Sequence, residues 1–186
     1  MLSILLSLLL IPFLAAKTVA AGLHRLPLRF VFGKKDVVYS LLADGRIRWE
    51  RLVLAVGLHA ERITRSPGGN DELRYFILDD TLKAKRGKAM ELVSYLFDHV
   101  SGKNILGFQF LVLAYLSGKR LFPISFRLRV GAKRPEGTQP VLGDGRTCAG
   151  QRRRSALNTN KIKQASVLLR EAAAVLPASF VLCDSW

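Results

Sequence analysis

The sequence predicts an α/β domain built on a mixed β-sheet and preceded by a small helical region. One sign is a cluster of helix-breaking residues, Ser66-Pro67-Gly68-Gly69-Asn70, between a helical part and a strand-rich part. Another is the helix-then-strand order at the end of the chain, because a crossover helix lets the last strand pair in parallel with an earlier one. We therefore expect a helical region over residues 1–66 and a sheet domain over residues 71–186.

The first part carries two helix signals. Asp36 suits the N-cap of a helix from Val37 to Leu42, and Gly45 suits its end. From Arg46 to Arg62, charged side chains alternate with apolar ones as they do in an amphipathic helix.

The second part contains five strand signals and one strong helix signal. Four runs rich in β-forming residues, separated by turn residues, cover residues 74–78, 92–100, 105–116 and 121–130. A polar, glycine-rich stretch follows, and residues 158–176 then place apolar side chains at helical spacing. The last run, residues 179–183, is apolar without alternation, which predicts a strand buried on both faces.

The apolar N-terminus, Met1 to Ala16, allows two interpretations. It is rich in leucine, and the alanine pairs at its end and just after it resemble the cleavage region of a secretory signal peptide. However, no basic residue precedes Lys17, and the run is short for a membrane span. Since apolar side chains fill every helix face, a buried helix fits the pattern equally well.

The chain is strongly basic, with a formal net charge of +15 and a pI near 10.5. Such an excess suits a polyanionic partner, either nucleic acid or an anionic membrane surface. A generally basic protein without such a partner is the alternative. Apolar residues make up 49% of the chain, which excludes a disordered polyelectrolyte.

The two cysteines, Cys148 and Cys183, show no metal-ligand spacing, so a zinc site is not predicted. Cys183 lies in the apolar run at the end of the chain. We therefore expect it to be a buried, reduced thiol, which fits a cytoplasmic protein.

Two predicted strands end at an aspartate, the first at Asp79 and the last at Asp184. If these strands are neighbours in parallel, they lie about 4.8 Å apart and both carboxylates emerge at one edge of the sheet. Two carboxylates suit Mg²⁺ or Mn²⁺, and a pair of such ions can activate a water or 3′-hydroxyl for attack on a phosphodiester. The alternative is that the first caps a loop and the second is an exposed terminal residue.

Four segments, in the same order, resemble DDE-type insertion-sequence transposases, whose catalytic domain has an RNase H-like fold. They are Tyr75–Thr81 with Lys85 and Gly87, Ser94–His99, Gly107–Leu113 and Val181–Trp186. The resemblance extends over roughly residues 34–186. It implies an incomplete RNase H-like mixed sheet, a DNA substrate, and Mg²⁺ (or Mn²⁺) bound by Asp79 and Asp184, with Asp80 as the rival of Asp79.

That family also uses a glutamate well downstream of the second aspartate. Glu91 and Glu171 precede Asp184, and the chain ends at Trp186. We therefore expect a truncated transposase, inactive alone, whose intact form cleaves DNA and transfers strands. This also favours a truncated helix over a signal peptide at the N-terminus. The alternatives are a non-enzymatic DNA-binding remnant and a secreted or membrane-anchored basic protein.

Basic residues flank the predicted metal edge on both sides. Those predicted to contact DNA phosphates are Lys85, Arg86, Arg146, Arg152, Arg153, Arg154 and Lys161. For any one of them, a solvated charge is the alternative. Besides DNA, self-association or association with an intact copy of the transposase is expected, and a membrane partner is not.

Overall fold

The computed structural model describes residues 21, 35–65, 73–138 and 145–184. Their elements are α1 (Lys35–Ala43), α2 (Trp49–Thr64), β1 (Arg74–Ala84), β2 (Ser94–Asp98), β3 (Lys103–Ser117), β4 (Arg120–Arg129), α3 (Cys148–Asn158), α4 (Lys161–Ala173) and β5 (Phe180–Cys183). Within these residues, four helices and a mixed five-stranded sheet form the predicted α/β fold, compatible with an RNase H-like domain.

The chain divides into two compact units, residues 1–45 and residues 46–186. The predictions for Met1–Ala16 and for a boundary at Ser66–Asn70 lie outside the described residues. In the first unit, α1 confirms the predicted helix after Asp36, although it begins two residues before Val37 and includes Asp36 in its first turn.

In the second unit, β3 is the central strand of the sheet. β1 pairs with one edge of β3 in antiparallel orientation, while β2 and β4 pair with different parts of the other edge. β5 joins β1 in parallel, in a register that runs from Tyr75–Phe180 to Leu78–Cys183. The order β2-β3-β1-β5 thus confirms that the last strand lies beside the first.

The core lies on one face of this sheet. Because side chains alternate along a strand, every second residue of β1 and β3 points into it. The sheet contributes Phe76, Leu78, Leu111, Leu113, Tyr115 and Ile124, and α4 contributes Ala165, Leu168 and Ala172. Leu54 and Leu58 of α2 pack against the same cluster. Full burial of a leucine or phenylalanine side chain stabilises the fold by about 1.5–3 kcal/mol.

Helix α2 approaches β4 closely at a single glycine. A Cβ atom on Gly57 would lie 2.9 Å from Cγ2 of Ile124 and 3.1 Å from the carbonyl oxygen of Pro123. The pairing of β4 with β3 shifts register at this point, and Pro123, which has no N–H to donate, is tolerated there. Gly57 therefore allows the helix to sit directly on the irregular part of β4.

Both ends of α4 are fixed to their surroundings. Asn160 caps the first turn, where its side-chain oxygen accepts a hydrogen bond of 2.8 Å from the Lys163 N–H. Beyond the last turn, the Tyr115 hydroxyl donates to the Pro177 carbonyl oxygen at 2.8 Å. Burial raises the pKa of Tyr115, so this hydroxyl stays protonated and able to donate.

Strand β1 is longer than the sequence predicts. It continues to Ala84 instead of ending at Asp79, because β3 provides a pairing partner as far as the Ala84–Gly107 pair. Asp79 therefore lies inside a strand. The strand that ends near Asp79 is β5, the parallel neighbour of β1, whose last residue is Cys183.

The prediction that β5 is buried on both faces is wrong. All its residues are exposed, including Phe180 at 52% and Cys183. The physical reason is that β5 pairs only with β1 within the described residues, so it is an edge strand there. The Cys183 thiol is free, as expected, but it is not buried.

Candidate active site

The parallel register of β1 and β5 brings the two predicted aspartates to neighbouring backbone positions. Leu78 pairs with Cys183, and the next residue on each strand is an aspartate, Asp79 and Asp184. Adjacent strands lie about 4.8 Å apart. Both aspartates are exposed, so water and a substrate can reach this edge of the sheet.

The register is also visible in side chains of the same face. Tyr75 and Phe180 are paired residues whose rings stack with their centroids 5.4 Å apart. Since side chains alternate along β1, Asp79 points to the same face as Tyr75. This is the face opposite to the one covered by α4.

Asp80, the rival of Asp79, points into the helix-covered side. It shares its face with Leu78, which is buried in the core. Its carboxylate forms an ion pair with Lys161 at the first residue of α4, and Nε2 of Gln109 donates to its Oδ2 at 3.0 Å. The structure therefore brings Asp79 and Asp184 together and directs Asp80 away from them.

Asp80 belongs to a chain of polar contacts across three strands. Arg129 of β4 donates through Nη1 to Oε1 of Gln109 at 2.9 Å, and Gln109 of β3 donates to Asp80 of β1. The amide N–H of Asp80 in turn donates to Oδ1 of Asp79 at 2.8 Å. Residues on the covered face thus connect through the backbone to the side chain on the exposed face.

Gln109 and Arg129 were not singled out in the sequence. A signal existed, since Gln109 is a polar residue inside the apolar run Gly107–Leu113 and is 8% exposed in the structure. A buried amide needs hydrogen-bond partners. Nothing in the sequence identifies those partners, because Asp80 and Arg129 are 29 and 20 residues away.

The residues at this edge supply two of the oxygen ligands that a hard divalent cation needs. Carboxylate oxygens are the ligands that Mg²⁺ and Mn²⁺ prefer, and Asp79 and Asp184 supply two carboxylates. Within the described residues, no group of three or more His, Cys, Asp or Glu side chains comes together to hold a metal ion.

Three of the basic residues predicted to bind DNA form ion pairs within the protein. Lys161 pairs with Asp80, Arg152 pairs with Glu50, and Arg153 pairs with Glu91 at 2.7 Å between Nε and Oε1. These contacts join α3 and α4 to neighbouring segments. They give the three cations a structural role in addition to their charge.

The other four predicted residues are distributed over exposed or partly exposed positions. Arg86, Arg146 and Arg154 are exposed, and Lys85 is partly exposed with Nζ 6.0 Å from the centre of the Phe108 ring. Arg154 lies in α3, which the sequence did not predict because its arginine run has no apolar periodicity. The arginine run is therefore helical and not part of a loop.

A family model described as DDE superfamily endonuclease matches residues 3–186. Comparisons with curated proteins and with solved structures give no significant match. In the part of the chain that the structure describes, no helix is both long and apolar enough to span a membrane.

Proposed function

The chain belongs to the DDE superfamily endonuclease family, and from this premise we propose that its sheet domain is the catalytic domain of a transposase. Its reaction is the metal-dependent cleavage of a DNA phosphodiester, followed by strand transfer. The proposed ligands of Mg²⁺ or Mn²⁺ are Asp79 and Asp184. Its free cysteines, Cys148 and Cys183, suit a reducing compartment such as the cytoplasm, where we place this activity.

The observation that carries this proposal is the parallel pairing of β1 and β5. It supports a shared cation because it makes Asp79 and Asp184 neighbours across two strands that are about a hundred residues apart in sequence. An aspartate that only caps a loop has no reason to lie beside an aspartate on the neighbouring strand. Their exposure is also needed for a substrate as large as DNA.

Asp79 suits the role of ligand better than Asp80 does. The Asp80 carboxylate already accepts a hydrogen bond from Gln109 and an ion pair from Lys161. A cation there would have to compete with the Lys161 ammonium group. Among the described residues, the Asp79 carboxylate accepts a hydrogen bond only from the Asp80 N–H, through Oδ1, so its other oxygen is available for coordination.

When bound, a divalent ion would supply positive charge that polarises the phosphodiester and lowers the pKa of a bound water or hydroxyl. The protein's own residues would hold the reacting groups in position. Asp79 and Asp184 would hold the ion at the edge of the sheet. The hydrogen bond from the Asp80 N–H limits rotation of the Asp79 carboxylate.

A second candidate function is DNA binding without catalysis. It is favoured by the absence of a third acidic ligand near Asp79 within the described residues. It also accounts for the net charge of +15. Exposed cations such as Arg86, Arg146 and Arg154 would contact phosphates in either case.

Binding of Mn²⁺, followed by electron paramagnetic resonance, tests the metal site directly. We expect weak binding by the wild-type chain, and Asp79→Asn or Asp184→Asn should weaken it by about tenfold or more. Asp80→Asn should cause a smaller loss. Asp36→Asn, which removes an exposed aspartate in α1, is the matched control and should change nothing. Equal binding by the wild type and both ligand variants would exclude the proposed site.

Nicking of supercoiled plasmid in Mg²⁺ separates the two candidate functions. Two carboxylates fix a cation less firmly than three, so we expect nicking by the purified chain to be slow. Asp79→Asn and Asp184→Asn should each abolish it. Nicking that survives either substitution rules out the proposed ligands, whereas DNA binding with no nicking in any condition supports the non-catalytic function.

A further inference from the structure

A cleft of about 560 Å³ opens between α2, α3, α4 and β4. Most of its lining residues carry a charged or amide group, and the charged ones are Arg48, Glu50, Arg51, Arg127, Arg152 and Glu171. Pockets for small organic ligands are mostly apolar with a few polar groups. The composition of this lining instead suits a ligand that carries several charges.

Two of the four arginines are paired across the cleft. Arg152 of α3 pairs with Glu50 of α2, and Arg127 of β4 pairs with Glu171 of α4 at 3.0 Å. These pairs fix the walls of the cleft, because each joins two different elements. They leave Nε of Arg127 buried and without an acceptor among the described residues.

Arg48 and Arg51 provide the excess positive charge. Within the described residues, neither guanidinium group forms an ion pair or hydrogen bond. Arg48 is the N-cap of α2 and makes no side-chain capping bond, and Arg51 lies in the first turn. Positive charges at a helix N-terminus oppose the helix dipole by about 0.3–1 kcal/mol each.

The start of α3 faces the same cleft. Its first-turn residues Cys148 and Gln151 contribute to the lining, and the first turn contains no acidic residue. Two helix N-termini therefore open into one cleft, and the arginines of α2 add positive charge where a helix alone would favour negative charge. Four arginines and two glutamates line the cleft, so its lining keeps an excess of positive charge, which favours an anion.

We propose that this cleft binds phosphate groups of the backbone of a DNA duplex, at a site separate from the aspartates. The proposal rests on the proposed function in so far as DNA is the substrate. Arginine suits this ligand because its guanidinium group binds phosphate oxygens in pairs. Arg48 and Arg51 are the primary contacts, and Arg127 and Arg152 support them.

The cleft lies on the helix-covered face of the sheet, where Arg127 reaches Glu171 of α4, whereas Asp79 points to the opposite face. Asp80 of β1 pairs with Leu111 of β3, and Leu111 pairs with Arg127 of β4. Two strand spacings, about 10 Å, therefore separate the backbones of Asp80 and Arg127. The cleft is therefore near the aspartates along the sheet but opens on its other face, so it is a contact surface of its own for DNA.

The test is the double substitution Arg48→Gln/Arg51→Gln, studied by fluorescence anisotropy with a labelled duplex in EDTA over a salt series. We expect an affinity loss of roughly tenfold at low salt, since charge-assisted hydrogen bonds are removed. The slope of log K against log salt should fall by about two. The melting temperature, followed by circular dichroism, should stay equal or rise because two charges that oppose the helix dipole are gone.

The matched control is Arg62→Gln/Lys119→Gln, which removes two exposed charges outside the cleft. An affinity loss no larger than that of the control overturns the proposal, as does an unchanged salt slope. The measurement needs no metal and no cleavage. If Asp79→Asn retains Mn²⁺ binding while Arg48→Gln/Arg51→Gln loses DNA affinity, the result contradicts the proposed metal site and supports DNA binding by the cleft. The reverse pattern refutes the cleft alone.

Discussion

Asp79 and Asp80 are adjacent in the chain but lie in different chemical surroundings. Alternation along β1 directs Asp79 to the exposed face beside Asp184 and directs Asp80 towards α4. The Asp80 carboxylate is 27% exposed and its partner Lys161 is 16% exposed, so their ion pair is partly shielded from water. A pair in such a position can hold the start of α4 against β1.

We predict that Asp80 and Lys161 stabilise the fold as a unit. Asp80→Asn and Lys161→Met should each lower the free energy of unfolding, and the double variant should lose less than the sum of the two. The expected coupling is about 1–2 kcal/mol, as is typical of residues in one polar network. Urea unfolding of the four proteins measures it. Strictly additive losses would mean that the ion pair contributes nothing to stability.

The sequence was sufficient to predict that Asp79 and Asp184 are neighbours, since a crossover helix before the last strand permits parallel pairing with β1. It was not sufficient to separate Asp79 from Asp80. That distinction depends on the ion pair with Lys161, which is 81 residues from Asp80. From its charge alone, Lys161 was predicted to contact DNA. The alternation of side chains along a strand predicts which face of the sheet a residue points to. Which residue it contacts there depends on the tertiary fold.

At the scale of elements, the contact between α2 and β4 depends on a missing side chain. Gly57→Ala should gain about 1 kcal/mol in helix propensity. The new methyl group, however, would lie 2.9 Å from Ile124 and 3.1 Å from the Pro123 carbonyl oxygen. Since a backbone atom cannot move away easily, we expect overpacking to prevail and the free energy of unfolding to fall by about 1–2 kcal/mol.

Chemical denaturation of Gly57→Ala beside Gly87→Ala tests this expectation. At Gly87, an added Cβ would meet only Cε of Met90, at 3.5 Å, which is ordinary contact. This control should stay within about 0.5 kcal/mol of the wild type. A Gly57→Ala protein that is more stable than the wild type would show that α2 is free to move away from β4.

Sequence analysis missed helix α3 and the full length of β1, because contacts with other elements and not the local sequence pattern determine both. Helix α3 buries only Gly150 and Ala156, so it has too few apolar positions to show a helical period. Its helical structure is supported by the Thr147 cap, which accepts from the Gly150 N–H, and by ion pairs to other elements. β1 extends past Asp79 for a similar reason, since pairing with β3 and not the local pattern sets its length.

At the scale of the whole molecule, the net charge of +15 is not uniformly available to a ligand. Arg152 and Arg153 are committed to Glu50 and Glu91, whereas Arg154 of the same helix is exposed. A sum over the sequence therefore overestimates the number of cations that DNA phosphates can contact. The fold sorts these neighbouring arginines by exposure, since Arg152 and Arg153 are partly buried in ion pairs and Arg154 is exposed.

Two single substitutions in adjacent residues test this sorting. Arg154→Ala should reduce the slope of log K against log salt for DNA binding by about one, because the exposed guanidinium group can reach a phosphate. Arg153→Ala should leave the slope unchanged and lower the free energy of unfolding by about 1 kcal/mol, because the ion pair with Glu91, which is 22% exposed, is lost. If both variants reduce the slope equally, the ion pair with Glu91 opens when DNA binds, and the whole arginine run then acts as one DNA-binding surface.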